Sequence, residues 1–380
     1  MAKKNKLFLF VLFGVVLLGG YFSIKAKRYH ADSWIYNYAY ESVVSIFDDK
    51  KQVRHIIFYL VDHFEPGSDA AAVKNTSLWL ARYTKAVENI YDDYGSRFQY
   101  TWFYPYDHKN EDVLRQLATM SKNGFGEVEL HWHHGHTTSE SFANDLDQAL
   151  EWFSSFGLLR AQGDSDSKFS FIHGNWALDN SGLQKHCGVN DEISILKSRG
   201  GYADFTFSTH SVSQPAYINR IVRVKDDPLK PRSYENAIDT EVGLKNDDFL
   251  LFLGPSGFNF RRLQFEVGAL ESDTSYTTER LRIWISNAPS VKGAEEVKFI
   301  KVHTHGITAE ENLLNENGIA KIAEDLSLFA KESGYKVHYM TSRQVYNVVR
   351  AIESGMDGDP DLYKDYEVKR PAVQSMKTSD

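Results

Sequence analysis

The chain has 380 residues, a formal net charge of −8, 42% hydrophobic and 14% aromatic residues. This charge argues against nucleic acid or an anionic membrane surface as the main partner, and the length allows two or three domains or one large barrel. The single cysteine, Cys187, excludes an internal disulfide and a cluster of zinc-bound thiolates.

The start of the chain predicts a membrane anchor. An uncharged, almost wholly apolar run extends from Leu7 to Ile24, after a lysine-rich start. This run is about long enough to cross a bilayer and longer than the core of a typical signal peptide. We therefore predict one uncleaved transmembrane helix within residues 1–29, with a cleaved signal peptide as the alternative, and a periplasmic or extracytoplasmic location for the rest of the chain. Basic residues flank the run on both sides, so their charge does not fix the orientation.

Residues 30–52 form an aromatic-rich connector, and after them short apolar runs alternate with amphipathic stretches. The runs that predict buried strands begin with "HIIFYLVDHFEP" and include "FQYTWFYP", "EVELHWH", "FSFIHGNW", "YADFTFS", "DFLLFLGP", "KFIKVHTHG" and "YKVHYMT". Alternating strands and helices predict parallel strands with crossover helices. We predict a (β/α)7–8 barrel over residues 53–354, with insertions at about 211–247 and 258–293 and a solvated tail at 355–380.

Polar residues cluster where the predicted strands end. The first strand ends in Asp62-His63-Phe64-Glu65, and the third ends in "HWHHGH", which places four histidines in six positions from His131 to His136. Two later strands end in His173-Gly174-Asn175-Trp176 and in His303-Thr304-His305. In a barrel of this type the chemistry lies at the carboxyl ends of the strands.

Imidazole and carboxylate together suit a divalent zinc, iron, cobalt, nickel or manganese ion. Because side chains alternate along a strand, His131 and His133 point to one side and His134 to the other. We therefore expect His131 and His133 to be ligands, and His134 and His136 to support them or to contact substrate. A solvated turn and adventitious metal binding remain as alternatives for this histidine cluster.

The strings "FYLVDHFEP" and "EVELHWHHGH" resemble the opening motifs of the polysaccharide deacetylase superfamily. The resemblance implies a barrel, a divalent metal with zinc preferred, and a polysaccharide substrate. It also implies that Asp62 is the catalytic carboxylate, His63 and His131 bind the metal, and His303 is the general acid. "VDHFEP", "HGNWALDN" and "CGVNDE" are similar to strings in uncharacterised proteins of bacterial exopolysaccharide gene clusters.

The chain departs from the superfamily pattern at three places. His63 stands where an aspartate is usual, and "FIHGNWALDN" replaces a motif built on arginine and proline. Gly135 stands four residues after His131, where the second histidine is expected. The second ligand must therefore come from His133, His134 or His136.

These observations predict a metal-dependent hydrolase that removes an N- or O-acetyl group from a cell-surface or exported polysaccharide. We expect His173, Asn175, Trp176 and His305 to contact the substrate, with Trp176 stacking on a sugar. A glycoside hydrolase that uses Asp62, Glu65 or Asp204 is one alternative. A non-catalytic, membrane-anchored polysaccharide-binding or assembly protein is the other.

Overall fold

The computed structural model describes residues 54–208 and 211–371, together with short pieces between residues 20 and 38. The strands are β1 (Arg54–His63), β2 (Tyr100–Pro105), β3 (Gly126–Trp132), β4 (Phe169–His173), β5 (Gly201–Asp204), β6 (Ile221–Val224), β7 (Ile238–Asp239), β8 (Phe249–Phe252), β9 (Ser256–Asn259), β10 (Gln264–Val267), β11 (Ala269–Leu270), β12 (Val297–Thr304) and β13 (Tyr335–Tyr339). The helices are α1 (Ala70–Val87), α2 (Glu111–Lys122), α3 (Ser139–Ser154), α4 (Leu183–His186), α5 (Glu192–Ser198), α6 (Thr278–Ser286), α7 (Glu310–Leu314), α8 (Ile319–Ser333) and α9 (Ser342–Glu353).

The protein is a mixed α/β structure built on one large, mostly parallel sheet. The strands follow the order β11-β12-β1-β2-β3-β4-β5-β8-β6-β7, β13 pairs with β1, and β9 and β10 form a separate antiparallel pair. Strand β1 is central, since it pairs in parallel with β12, with β13 and, over its last residues, with β2.

The predicted (β/α)7–8 barrel is wrong, because the order of the described strands is open. Strand β8 pairs in parallel with β5 on one edge, but its other edge is taken by β6, which runs antiparallel. At the other end of the order, β11 adds two residues beside β12. Residues 211–247, which we expected to form an insertion, supply β6 and β7 and so occupy the edge that a closing strand would need.

The predicted anchor lies almost entirely outside the described residues. Within the part of the chain that the structure describes, none of the helices has both the length and the apolar character needed to cross a bilayer. The predictions of an anchor of one N-terminal helix and of a membrane-bound location are corrected accordingly, because no helix in the described part of the chain supports them. Most of the predicted connector, residues 30–52, also lies outside the described residues.

The end of the chain is packed as far as residue 371. Val368 is buried, and its carbonyl oxygen accepts hydrogen bonds from Arg343 Nη1 at 2.6 Å and from Asn347 Nδ2 at 2.8 Å, both on α9. The first part of the predicted solvated tail, 355–371, is thus attached to α9, and residues 372–380 lie outside the described residues.

Helix ends are set by local hydrogen bonds. The side chain of Asp69 caps α1, and Thr138 and Thr341 form capping boxes at α3 and α9. Helix α8 ends at Gly334, whose φ of 73° is in the left-handed region that glycine adopts without strain.

Alternation along β1 defines two faces of the sheet. Ile56, Phe58 and Leu60 pack on the outer face in a core that includes residues of α1 and α2. Ile57, Tyr59 and Val61 belong to a second core on the inner face. Both faces are buried, which explains the continuous apolar run in the sequence. The alternation then directs His63 to the inner face and Asp62 to the outer face.

The inner face also holds a buried lysine. Lys301 on β12 donates hydrogen bonds from Nζ to the carbonyl oxygens of Phe205 and Phe252, at 2.8 and 2.7 Å. Burial lowers the pKa of Lys301, and the carboxylate of Asp204 opposes this shift. Lys301 precedes His303 by two residues, so both side chains lie on the inner face of β12.

Candidate metal centre

Imidazoles from three separate chain segments meet at the carboxyl ends of the parallel strands. His63 ends β1, His131 lies near the end of β3 with His133 just after it, and His305 follows β12. Val61 on β1 pairs in register with His303 on β12, so His63 and His305 leave neighbouring strands at the same height. We call His63, Glu65, His131, His133 and His305 the open cluster.

One carboxylate oxygen lies at the middle of the open cluster. Glu65 Oε1 is 3.0 Å from His131 Nε2, 3.3 Å from His133 Nε2 and 4.0 Å from His305 Nε2. Burial alone would raise the pKa of Glu65, but the hydrogen bonds with His131 and His133 outweigh it and hold that pKa below its usual value. Glu65 is therefore a carboxylate around which several imidazole nitrogens converge.

The Nδ1 atoms of His131 and His133 point away from Glu65 and are fixed by hydrogen bonds. His131 Nδ1 donates to the carbonyl oxygen of Ile172 at 2.8 Å, and His133 Nδ1 lies 3.1 Å from Asp107 Oδ2. Asp107 also accepts the backbone N–H of His133 at 3.0 Å. A hydrogen bond at Nδ1 fixes the orientation of a ring and presents its Nε2 to a metal, as is usual for metal-binding histidines.

His305 is oriented in the same way. Its Nδ1 lies 3.0 Å from Glu271 Oε1, and its backbone N–H donates to Glu271 Oε2 at 3.2 Å. Burial would lower the pKa of His305, but the hydrogen bond and charge of Glu271 raise it above its ordinary value. In His133, the hydrogen bonds with Asp107 and Glu65 likewise outweigh burial and raise the pKa to about 9.

His63 is buried, and its Nε2 has no hydrogen-bond partner among the described residues. Its ring centroid lies 4.6 Å from that of His305 and 5.0 Å from that of His131. Burial and the neighbouring imidazoles lower the pKa of His63 well below its ordinary value. A buried nitrogen without a partner is costly, and a bound cation would remove this cost.

The donor atoms of the open cluster fit a divalent metal. They form two overlapping triads, Glu65-His131-His133 and His63-Glu65-His305, and within each triad the ligand atoms lie within 4.8 Å of one another. Imidazole and carboxylate donors of this kind suit zinc, iron, cobalt, nickel and manganese. The three predicted ligands His63, His131 and His133 are thus brought together, and His133 is the strand-three partner of His131.

Asp62 does not join the open cluster. It is fully buried on the outer side, where Tyr100 Oη donates to its Oδ2 at 2.8 Å and the Gly306 N–H donates to its Oδ1 at 2.6 Å. Burial raises the pKa of Asp62 to about 8 despite these two hydrogen bonds. The geometry favours a positioning role, in which Asp62 holds the backbone next to His305.

Two other predicted residues lie beside the open cluster. Trp176 is half-buried, and its ring centroid is 4.6 Å from that of His63 and 5.4 Å from that of His303. His303, the predicted general acid, is buried next to Trp176, and its ring is 6.5 Å from that of His63. His305 approaches Glu65 directly and is therefore better placed for proton transfer than His303.

The remaining predicted residues are separated from the open cluster or point away from it. His173 is fully buried and contacts Glu192 and His134. Asn175 is exposed in a turn, with a φ of 55°. His136 is exposed as well, with a φ of 54°.

Sequence reasoning did not select Glu65 as a ligand, and it did not select Asp107 and Glu271, which orient the rings of His133 and His305. A signal for Glu65 was present, because it stands two residues after His63, just beyond the end of β1. Asp107 lies in a short 3-10 turn after β2, and Glu271 follows β11. Neither stands in one of the strand-end motifs from which the site was predicted, so only the folded structure connects them to the site.

A comparison of the chain with protein-family models finds no match, and a comparison with curated proteins finds none either. The resemblance to polysaccharide deacetylases therefore stays a prediction from the sequence.

Proposed function

We propose that the protein is a metal-dependent hydrolase that removes an acyl group, N- or O-acetyl, from a carbohydrate polymer. The observation that carries this proposal is the convergence of His131, His133 and His305 through Nε2 on Glu65 Oε1, with separations of 3.0, 3.3 and 4.0 Å. Carboxylate or carbonyl groups hold the far side of each ring, as expected for rings pre-oriented toward an ion.

Glu65, His131 and His133 are the residues that would hold the metal, and His63 borders the same space. Bound there, a divalent metal supplies Lewis acidity, which polarises an acyl carbonyl and makes water a stronger acid. Partial exposure of Glu65, His133 and His305 leaves this side of the cluster accessible to a substrate.

His305 is the group we assign to proton transfer. Its Nε2 faces Glu65, while Glu271 holds its Nδ1 at 3.0 Å and stabilises the protonated ring. In the proposed reaction His305 takes a proton from the attacking water and returns it to the departing nitrogen or oxygen. Asp62 accepts the N–H of Gly306 and so fixes the segment that carries His305.

The aromatic ring of Trp176 supports a carbohydrate as the substrate. It is half-buried, and its ring lies 4.6 Å from that of His63 and 5.4 Å from that of His303. An indole in such a position can stack on the apolar face of a sugar, as rigid aromatic anchors do at other binding sites.

The three carboxylates considered from the sequence, Asp62, Glu65 and Asp204, do not favour a glycoside hydrolase. That reaction requires two carboxyl groups that face each other across the scissile bond. Asp62 lies on the outer side of the sheet, and Asp204 is fully buried, where both of its oxygens accept hydrogen bonds from Thr206. Glu65 is then the only one of the three carboxylates considered from the sequence that lies in the open cluster.

The proposal is tested on the purified full chain by depleting it of metal and reloading it with Zn²⁺ or Co²⁺. Acetate release is measured on a panel of N- and O-acetylated glycans. We expect release that is lost on chelation and restored by metal, and that is lost in His131→Ala but retained in His136→Asn. The control changes an exposed histidine of the same motif to a residue that tolerates a positive φ.

Two outcomes would contradict the proposal. Acetate release that survives complete metal depletion would show that the open cluster does not act through a metal. Stoichiometric metal binding at Glu65 and His131, without release from any glycan, would favour the non-catalytic binding protein.

A further inference from the structure

A second group of metal-binding side chains lies on the opposite side of the histidine motif. It consists of His134, His173, Cys187 and Glu192, whose ligand atoms all lie within 4.8 Å of one another. We call it the closed cluster, because His173, Cys187 and Glu192 are fully buried and the side chain of His134 is only 4% exposed. Two neighbouring residues just after β3 enter different clusters, His133 the first and His134 the second.

Glu192 holds the closed cluster together. Its Oε1 is 2.8 Å from His134 Nε2 and 3.2 Å from His173 Nε2. Its Oε2 accepts the backbone N–H of Asp179 at 2.6 Å and lies 3.6 Å from Cys187 Sγ. One oxygen of the carboxylate is thus fixed by the backbone, and the other is directed at two imidazoles.

The hydrogen-bond partners of the His173 ring show most specifically that a proton or a cation lies in the closed cluster. Its Nδ1 lies 2.6 Å from the carbonyl oxygen of Gly174, and a carbonyl only accepts, so Nδ1 carries the hydrogen. In a neutral ring Nε2 then has a lone pair, and this lone pair faces Glu192 Oε1 at 3.2 Å. His173 Nε2 is buried without a satisfactory hydrogen bond. Two lone pairs at this distance repel, so a proton or a cation must lie between them.

We infer that the closed cluster is a structural site for a zinc-like divalent ion, bound by His134 Nε2, His173 Nε2, Cys187 Sγ and Glu192 Oε1. Tetrahedral zinc with bonds of about 2.0 to 2.3 Å places its ligand atoms roughly 3.3 to 3.8 Å apart. Glu192 Oε1 lies 2.8 Å from His134 Nε2 and 3.2 Å from His173 Nε2, near this range, and Cys187 Sγ lies 3.6 Å from the other carboxylate oxygen, Oε2. Small shifts of buried side chains would therefore complete the coordination.

The charges also balance. A thiolate and a carboxylate neutralise a divalent ion, and two neutral imidazoles complete the four ligands. The protein fills every position of a tetrahedral ion in a buried site, so no position remains for a substrate. A closed coordination of this type is characteristic of a structural ion, whereas the partly exposed open cluster leaves room for a reaction.

The ion would fasten three loops. His134 lies in the loop after β3, His173 ends β4, and Cys187 and Glu192 flank the turn between α4 and α5. Backbone hydrogen bonds already join these loops, from the N–H of Thr137 to Cys187 and from the N–H of His136 to Gln184.

Two glycines allow this close approach of the loops. A Cβ at Gly135 would overlap the carbonyl oxygen of Lys185, and one at Gly188 would overlap that of Thr137. The loop fastened in this way includes His133, so the second ion would also stabilise the open cluster.

An ion pair without metal is the competing arrangement. In it His173 is an imidazolium beside the Glu192 carboxylate, and Cys187 stays a neutral thiol, since burial and the charge of Glu192 raise the pKa of that thiol. Both arrangements satisfy His173 Nε2, but only the metal site makes the single cysteine of the chain a thiolate ligand.

Cobalt distinguishes the two arrangements. The purified full chain is depleted of metal and titrated with Co²⁺, and the thiolate-to-cobalt charge-transfer absorption in the near ultraviolet is recorded. We expect this band in the wild type, its loss in Cys187→Ser, and its retention in both Glu65→Gln and His136→Asn. Metal analysis should give one bound ion fewer in Cys187→Ser than in the wild type.

A folded wild-type chain without this band would overturn the inference, as would a band that persists in Cys187→Ser. The wild-type spectrum requires no substitution, so misfolding of a variant would not obscure the result. The band depends on Cys187 and acetate release depends on the open cluster, so failure of the proposed function would leave this test unaffected.

Discussion

The open and closed clusters use similar ligands in very different surroundings. In the open cluster the side chains of Glu65, His133 and His305 are 27%, 28% and 31% exposed, and carboxylates support two of the rings. In the closed cluster Glu192 and His173 are fully buried. Two imidazoles and the thiol of Cys187 are present there, whereas the open cluster has four imidazoles and no thiol. Neighbouring residues of one motif, His133 and His134, thus enter sites with opposite access to solvent.

Residue type alone therefore does not assign a role to a histidine. A partly exposed group of donors can admit a substrate, whereas a buried group with four ligands can only hold loops together. The structural environment, in particular the exposure of the donor side chains to solvent, separates the two roles. The two glutamates, Glu65 and Glu192, occupy equivalent positions at the centre of each cluster and therefore provide a matched comparison.

The largest effects should come from changing each of these glutamates to glutamine. Glu192→Gln should lower the free energy of unfolding by about 3–5 kcal/mol, because it breaks a fully buried charge pair. Glu65→Gln should lower metal affinity at the open cluster by more than about 100-fold, which is a greater loss than the substitution of a supporting residue causes. The metal-free Glu65→Gln protein should unfold within about 1 kcal/mol of the wild type, since Glu65 is partly exposed.

Urea unfolding of the metal-free proteins and metal titration measure both effects. The comparison would fail if the two variants lost equal stability, because the clusters would then not differ in their structural role. It would also fail if Glu65→Gln retained wild-type affinity for every metal ion.

The sequence predicted the alternation of strands and helices but not how the sheet ends. Apolar runs mark buried strands such as β1 and β12 reliably, because a strand covered on both faces must be apolar along its length. The direction of β6 depends on its pairing with β8 across a chain separation that no local pattern encodes. The barrel was wrong for this reason, since an antiparallel strand took the edge needed for closure.

The open cluster was partly predictable for a related reason. Alternation predicted that His131 and His133 point to one side and His134 to the other, and the structure places His134 in a separate group of side chains. Asp107 and Glu271 reach the site from distant turns, so their roles depend on the tertiary structure. The closed cluster was missed because its single cysteine was considered only for a disulfide or a cluster of thiolates.

A smaller loss of metal affinity is expected when the residue that orients one ligand is changed. Asp107→Asn keeps a hydrogen-bond acceptor for the backbone N–H of His133 but removes the charge beside His133 Nδ1. Loss of such a support typically reduces metal affinity by about 10–100-fold. Competition titration with a chromophoric chelator measures the affinity, and the cobalt–thiolate band of the closed cluster should not change. Unchanged affinity in Asp107→Asn would indicate that His133 is not a ligand.

The smallest effect concerns a pair of imidazoles away from both clusters, His55 at the amino end of β1 and His338 on β13. His55 Nδ1 lies 2.9 Å from His338 Nε2, and burial, followed by the charge of His338, lowers the pKa of His55 to about 4. The unfolded chain takes up a proton near the ordinary histidine pKa of about 6.5, while the folded protein does not. Stability from a neutral buried His55 is therefore complete above that pH and is lost as the pH falls from about 6.5 toward 4.

Removing this titration should make the protein less sensitive to acid. Between pH 7.5 and 5.5, His55→Gln should lose about 1 kcal/mol less unfolding free energy than the wild type, by proton linkage for one group. Urea unfolding at both pH values measures the difference, and the exposed His136→Asn serves as the control. Because the open and closed clusters lie at the other strand ends, acetate release and the cobalt–thiolate band at neutral pH should match the wild type. An equal acid sensitivity in His55→Gln and the wild type would mean that His55 is already protonated in the folded protein, and that the destabilisation by acid begins at the two metal clusters instead.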